Sequence, residues 1–224
     1  MQANYVQRLR LTFSKEGPTR YIGHLDLART LERSLNRAQI PIAYSQGFNR
    51  RPRLSFAAAL PLGYTSEYEL ADIWLIEEVE PQDILVQMLP KMAPGITVTA
   101  VKQVPISEPS LQSITTSARY DVVPYEKLDG EELSSRVEGV IALKSIIRER
   151  KSGKAKGKPY DLRPLIIDLF SDSDSEGTLK LIMTLFLMSG KTGRPDEVLA
   201  ALSLDPLASR IHRTLITLIN EKDS

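Results

Sequence analysis

The chain has 224 residues, 42% of them hydrophobic, and a formal net charge of +1, enough for one large domain or two small ones with a substantial core. It has no cysteine, which excludes disulfides, thiolate metal sites, iron–sulfur clusters and cysteine nucleophiles, and with only two histidines no metal or other cofactor is expected in this chain. The start, "MQANYVQRLRL", carries charge where a signal peptide needs an apolar run, and no stretch approaches a membrane span, so a cytoplasmic protein with no membrane association is expected.

In "YVQRLRLTF" (5–13), Leu9, Leu11 and Phe13 alternate with Arg8, Arg10 and Thr12, which predicts a strand with the arginines facing outward. "HLDLARTLERSLNRA" follows, with Leu27, Ala28, Leu31, Leu35 and Ala38 on one helical face and Pro41 ending the helix. Asp26 is a candidate cap for it. Extended pieces are expected at 42–44, 54–59 and 67–76, then a helix over 82–91 opened by Pro81 and a strand over 96–104. That order matches the split βαβ pattern of ferredoxin-like domains. "PISEPSLQS" (105–113) reads as a linker.

The order then recurs. Strands are expected at "TTSARYDVV", "LIIDLF" and "LKLIMTLFL", helices at "EELSSRVEGVIAL" and "RPDEVLAALSL", and a last strand at "IHRTLITLI". "RKSGKAKGKP" interrupts this second copy as a lysine-rich excursion. The fold class predicted is α+β, two tandem ferredoxin-like units spanning 1–106 and 114–224.

Charge is segregated along the chain. Residues 20–53 hold seven arginines against Asp26 and Glu32, and 148–163 hold seven bases against Glu149 and Asp161. Residues 65–83 hold seven acids and no base. The basic segments are candidate anion sites or mixed-charge solvated surface. Arg29, Arg33 and Arg37 recur every four residues and form a stripe opposite Leu31 and Leu35. The stripe leads into "SQGFNRRPRLSF", where Phe48 and Asn49 precede Arg50, Arg51 and Arg53. An arginine fork can hold phosphate with two hydrogen bonds, which a lysine ammonium cannot. Lys154, Lys156 and Lys158 are the candidate contacts in the second basic segment.

Other motifs are weaker. "SGKTG" (189–193) resembles the end of a phosphate-binding loop, but Leu185 stands where that motif needs its first glycine. His24, at a helix start, is either a packing residue or a polar pocket residue touching phosphate or base. RNA-recognition motifs stack bases on sheet aromatics, and none is found among the outward residues of the first strand.

The stretch from Tyr21 to Leu75 resembles the radical-SAM-associated protein family, a bacterial domain of unknown function. The resemblance lies in His24-Leu25-Asp26, in "RAQIPIAYSQGFN" (37–49) and in the "LPLG" turn from Leu60 onward with its following Ser and Glu. Family members commonly read "GFNPHPR", whereas this chain has Arg50 and Arg51 at the Pro and His positions. The resemblance implies a protein encoded beside, or fused to, a radical SAM enzyme, often near genes for RNA processing. No catalytic residue is carried over. Tandem ferredoxin-like units are also similar, in fold alone, to CRISPR repeat-processing endoribonucleases.

Three functions remain open at this level. The first is an RNA-binding accessory module of a radical SAM enzyme, acting on tRNA or rRNA. The second is a metal-independent endoribonuclease using His24 as general acid or base, with Tyr21 and an arginine assisting. The third is a protein–protein adaptor using the acidic 65–83 segment.

Overall fold

In the computed structural model, which describes residues 5–46, 48–150, 156–173 and 177–219, the first strand β1 (Gln7–Lys15) holds Leu9, Leu11 and Phe13 wholly out of solvent. A 3-10 turn leads into α1 (His24–Arg37), whose buried side is Leu27, Leu31, Ser34 and Leu35. β2 (Leu54–Phe56), β3 (Thr65–Leu75), α2 (Pro81–Met88) and β4 (Ile96–Val104) follow. β1 lies between β3 and β4 and is antiparallel to both, and β2 pairs with β3, giving the order β4-β1-β3-β2. Leu31, Leu35, Ile84 and Met88 of the helices close over Leu9, Leu11, Phe13 and Ile73 of the sheet, forming one core. Each such side chain taken fully from water contributes about 1.5–3 kcal/mol before entropy is charged against it. Before β4, Gly95 adopts φ +85°, and a Cβ there would lie 2.5 Å from the Glu16 carbonyl oxygen. Only glycine fits that approach.

The other face of β1 differs from the expectation. Arg8 and Arg10 are each 2% exposed. Asp72 of β3, the cross-strand partner of Arg10, takes both guanidinium groups. Arg8 Nε and Nη2 donate to Asp72 Oδ2 at 3.0 and 2.5 Å, while Arg10 Nε donates to Oδ1 at 2.8 Å. Arg10 Nη2 reaches Glu108 Oε2 at 2.6 Å, and Arg8 donates to the carbonyls of Glu108 and Pro109. Residues 105–113 are therefore not a free linker: Arg8 and Arg10 draw them onto the sheet. They continue into a short helix, α3 (Leu111–Ile114), with Leu111 fully buried.

The chain divides after Thr115 into two units, the second being Thr116–Leu218. β5 (Thr115–Pro124) leads into the second unit. α4 (Gly130–Ala142) is capped by Asp129, whose side chain accepts from the backbone N–H groups of Glu131 and Glu132. The lysine-rich excursion has an antiparallel stem, β6 (Ile147–Glu149) with β7 (Pro159–Asp161). Then come β8 (Ile166–Ser173), β9 (Leu179–Met188), β10 (Lys191–Thr192), α5 (Pro195–Ala201) and β11 (Ser209–Leu218). The order β11-β5-β9-β8 repeats that of the first unit, with the β6–β7 hairpin inserted after the first helix. In "SGKTG", Ser189 and Gly190 (φ +78°) make the tight turn between antiparallel β9 and β10, and Lys191 and Thr192 are β10 itself rather than the first turn of a helix, as a phosphate loop would need.

Candidate nucleic-acid interface

The arginine-rich loop stands on a hydrogen-bonded base. Tyr44 and Pro52 bridge its two arms. Ser45 N–H donates to the Arg51 carbonyl and Arg53 N–H to the Ala43 carbonyl, both at 2.7 Å, and Arg51 N–H donates to Ser45 Oγ at 3.0 Å. The Ala43 N–H and Arg53 carbonyl also bond Trp74 of β3, which ties both arms to the sheet. Above this base, Phe48 is fully exposed, and Asn49, Arg50 and Arg51 are exposed beside it. Among the described residues no ion pair or hydrogen bond engages the guanidinium group of Arg50 or Arg51. Arg53 is different. It is half-buried, with its guanidinium 4.7 Å from the centre of the Tyr5 ring, so it belongs to the loop's base rather than its tip.

The α1 stripe joins this surface through one contact that the sequence did not suggest. Tyr44 Oη donates to Asn36 Oδ1 at 3.0 Å. Arg33, three residues before Asn36, lies beside it on the helix surface and is exposed. Arg37 is exposed too, but its Nη2 donates to the Lys91 carbonyl at 2.8 Å. Arg29 pairs with Asp26 at 3.3 Å, with both side chains more than 60% exposed, a pair of little energetic weight. Asp26 does not cap α1: the N-cap is Gly23, which makes no side-chain bond.

His24 packs inward. Its ring lies 4.9 Å from that of Phe56, edge to face, and its buried Nδ1 has no hydrogen-bond partner among the described residues. Tyr21 points outward, 66% exposed, under the Arg20 guanidinium. The two are not brought together as an acid–base pair. Lys15 and Glu69 are buried at one end of the β1–β3 pair, and Lys15 Nζ donates to the Ile22 carbonyl at 3.3 Å.

In the second unit, Lys156 and Lys158 are exposed, while Lys154 lies outside the described residues. The β6–β7 stem is well held. Asp161 Oδ1 accepts from Ile146 N–H at 2.8 Å and Arg163 N–H at 3.0 Å, and the first of these bonds does most to pull its carboxyl below the usual range. Arg150 stacks 4.6 Å from the Tyr160 ring centre. Burial, then the charge of Glu197, pushes the Tyr160 phenol up. Arg148 approaches Glu197 at 3.9 Å.

The acidic segment is split by the fold: Glu69 and Asp72 are buried, leaving Glu67, Glu77, Glu78, Glu80 and Asp83 on the surface. For Arg10, burial opposes the charge, but the hydrogen bonds and charges of Asp72 and Glu108 outweigh it and hold the guanidinium above its ordinary value. A groove of about 590 Å³ at the start of β1 and end of β4 offers only Gln7 and Gln103 as polar side chains of size, and these bond each other at 3.1 Å. Among the described residues no group of three His, Cys, Asp or Glu is placed to hold a metal, and no helix is long and apolar enough to cross a membrane.

Residues 8–195 match the family described as "Uncharacterized protein conserved in bacteria (DUF2344)". The chain belongs to this family. The match begins at Arg8 of the buried network and runs through the arginine loop and the β6–β7 hairpin into α5. No curated protein matches the chain. A chain in the crystal structure of a Cbf5-Nop10-Gar1 complex is similar in structure, with a TM-score of 0.51 at 8% identity, over 95% of this chain and 50% of that one. This chain thus spans half the length of that relative, and the likeness concerns fold alone. Ferric DtpA from Streptomyces lividans gives a TM-score of 0.24 at 10% identity, over 97% of this chain and 90% of that one, too low to carry an argument.

Proposed function

We propose that this DUF2344 member is a non-catalytic RNA-binding accessory module, acting with a radical SAM enzyme on tRNA or rRNA, and that each of its units is a ferredoxin-like split βαβ domain. For the fold, the support is the order fourth-first-third-second strand, which recurs in both units with helices after the first and third strands. For RNA, the observation that carries the reading is the pair Arg50 and Arg51. Both are exposed on a hydrogen-bonded loop base and have no anionic partner among the described residues. Two uncommitted guanidinium forks beside an exposed ring suit phosphates spaced along a nucleic-acid backbone. Arg33 extends the cationic surface from α1. The radical SAM partner is taken from the sequence resemblance over Tyr21 to Leu75.

The nuclease reading has little to support it, because the His24 ring packs on Phe56 and its Nδ1 is buried with no hydrogen-bond partner among the described residues. Incubating the purified chain with labelled cellular RNA tests the proposal. Retention without cleavage is expected. Cleavage that disappears in His24→Ala would establish the nuclease instead, and neither retention nor cleavage would leave the protein adaptor.

A further inference from the structure

Among the described residues of the first unit, Phe48 is the largest apolar side chain left entirely in water, at 110% relative exposure. Hydrophobic packing does not explain it, because the ring covers nothing. Nor is its setting that of a protein-docking anchor, which sits among other apolar groups that exclude water from its rim. The exposed side chains that follow Phe48 are Asn49, Arg50 and Arg51, and the nearest part-exposed aromatic in sequence, Tyr44, has its hydroxyl bonded to Asn36.

This combination has a specific chemical complement. A nucleobase presents a flat π-face for the ring and hydrogen-bonding edges for a side-chain amide, and its flanking phosphates suit guanidinium groups. A base within a duplex cannot offer its face, because neighbouring bases cover both sides. We infer that Phe48 stacks on an unpaired base while Arg50 and Arg51 take adjacent phosphates, so the ligand class is single-stranded or looped RNA rather than continuous duplex. Asn49 is the group available to the base edge. The inference rests on the RNA reading above and adds to it a shape preference that phosphate contacts alone would not give.

The loop's base makes the arrangement effective. The Ser45–Arg51 and Ala43–Arg53 bonds and the Arg53–Tyr5 stack fix both arms, so less ordering entropy is lost when the tip binds.

The test compares a stem–loop RNA with a blunt duplex of matched length and composition at one salt concentration. The full chain is measured as wild type, Phe48→Ala, Phe48→Trp and Arg50→Ala/Arg51→Ala. Wild type should favour the stem–loop. Phe48→Ala should lose roughly 5- to 160-fold on the stem–loop, the range for removing one base–aromatic stack, and little on the duplex. Phe48→Trp should keep the preference, and its added indole emission should be quenched by the stem–loop and not by the duplex. The double arginine variant should weaken both RNAs and keep their ratio. Equal wild-type binding to the two RNAs, or a preference that survives in Phe48→Ala, would overturn the stacking inference while leaving RNA binding intact. No wild-type binding to either RNA would overturn the RNA reading itself. Because Phe48 covers nothing, a circular-dichroism melt of each Phe48 variant should match wild type.

Discussion

Arg8 and Arg10 share a residue type and a local density with Arg50 and Arg51, yet the two pairs have opposite surroundings. The first pair is buried on β1, and Asp72, Glu108 and two carbonyls take up its donors. The second is exposed on a loop and meets no acid among the described residues. Burying a guanidinium costs several kcal/mol, and paired hydrogen bonds must offset that cost. An exposed guanidinium pays no such penalty and keeps its donors available. Charge already matched inside the fold maintains structure, and charge left unmatched outside it is available for a ligand.

Breaking the buried side of the comparison should give the largest effect. Asp72→Ala leaves two buried guanidinium groups without their common carboxylate, and about 3–5 kcal/mol of stability should be lost. Urea denaturation followed by circular dichroism measures this. A loss below about 1 kcal/mol would mean that the network is loose and wet.

Glu108→Ala should cost less, about 1.5–3 kcal/mol, because Arg10 keeps Asp72 and only one charge-assisted bond is lost. Its more telling effect is local. With one tether gone, residues 105–110 should become cleavable by a protease that the wild type resists there.

Asp161 extends the comparison to a matched anion in the second unit. Its folded value is lowered, chiefly by the Ile146 N–H. Its contribution to stability is therefore present above the ordinary carboxylate value of about 4 and is lost as pH falls through the lowered one. The stability difference between wild type and Asp161→Asn should be greatest near neutrality and shrink in acid. A difference that grows on acidification would contradict the hydrogen-bonded carboxylate.

Much of the fold was legible in the sequence because the core faces follow their own periods. Leu9, Leu11 and Phe13 alternate, Leu27, Leu31 and Leu35 recur at helical spacing, and the 96–104 strand was bounded to the residue. The back of β1 was not. An alternating arginine reads as solvent-facing unless its partner is known, and Asp72 and Glu108 lie 62 and 98 residues from Arg10. The available hint was Asp72 itself, a carboxylate between Ala71 and Ile73 in an otherwise apolar run. In the loop, Phe48, Asn49, Arg50 and Arg51 were legible as a group, whereas Arg53 joined Tyr5 and Arg37 joined Lys91 through contacts that only the fold creates. The Tyr44–Asn36 bond, which brings the stripe to the loop, had no sequence signal.

The exposed side of the comparison should have almost no effect on stability. Arg50→Ala/Arg51→Ala should lie within about 0.5 kcal/mol of wild type in the same denaturation, as expected for surface substitutions. Its effect belongs to binding. The most direct measurement is RNA affinity across a salt series for wild type and this double variant. If the two arginines meet two phosphates, the slope of log affinity against log salt should shrink by roughly 1.4 to 1.8 units, and lysine in both positions should restore most of that slope. Identical slopes for wild type and double alanine variant would contradict the account: the unmatched arginines would not be meeting a nucleic-acid backbone.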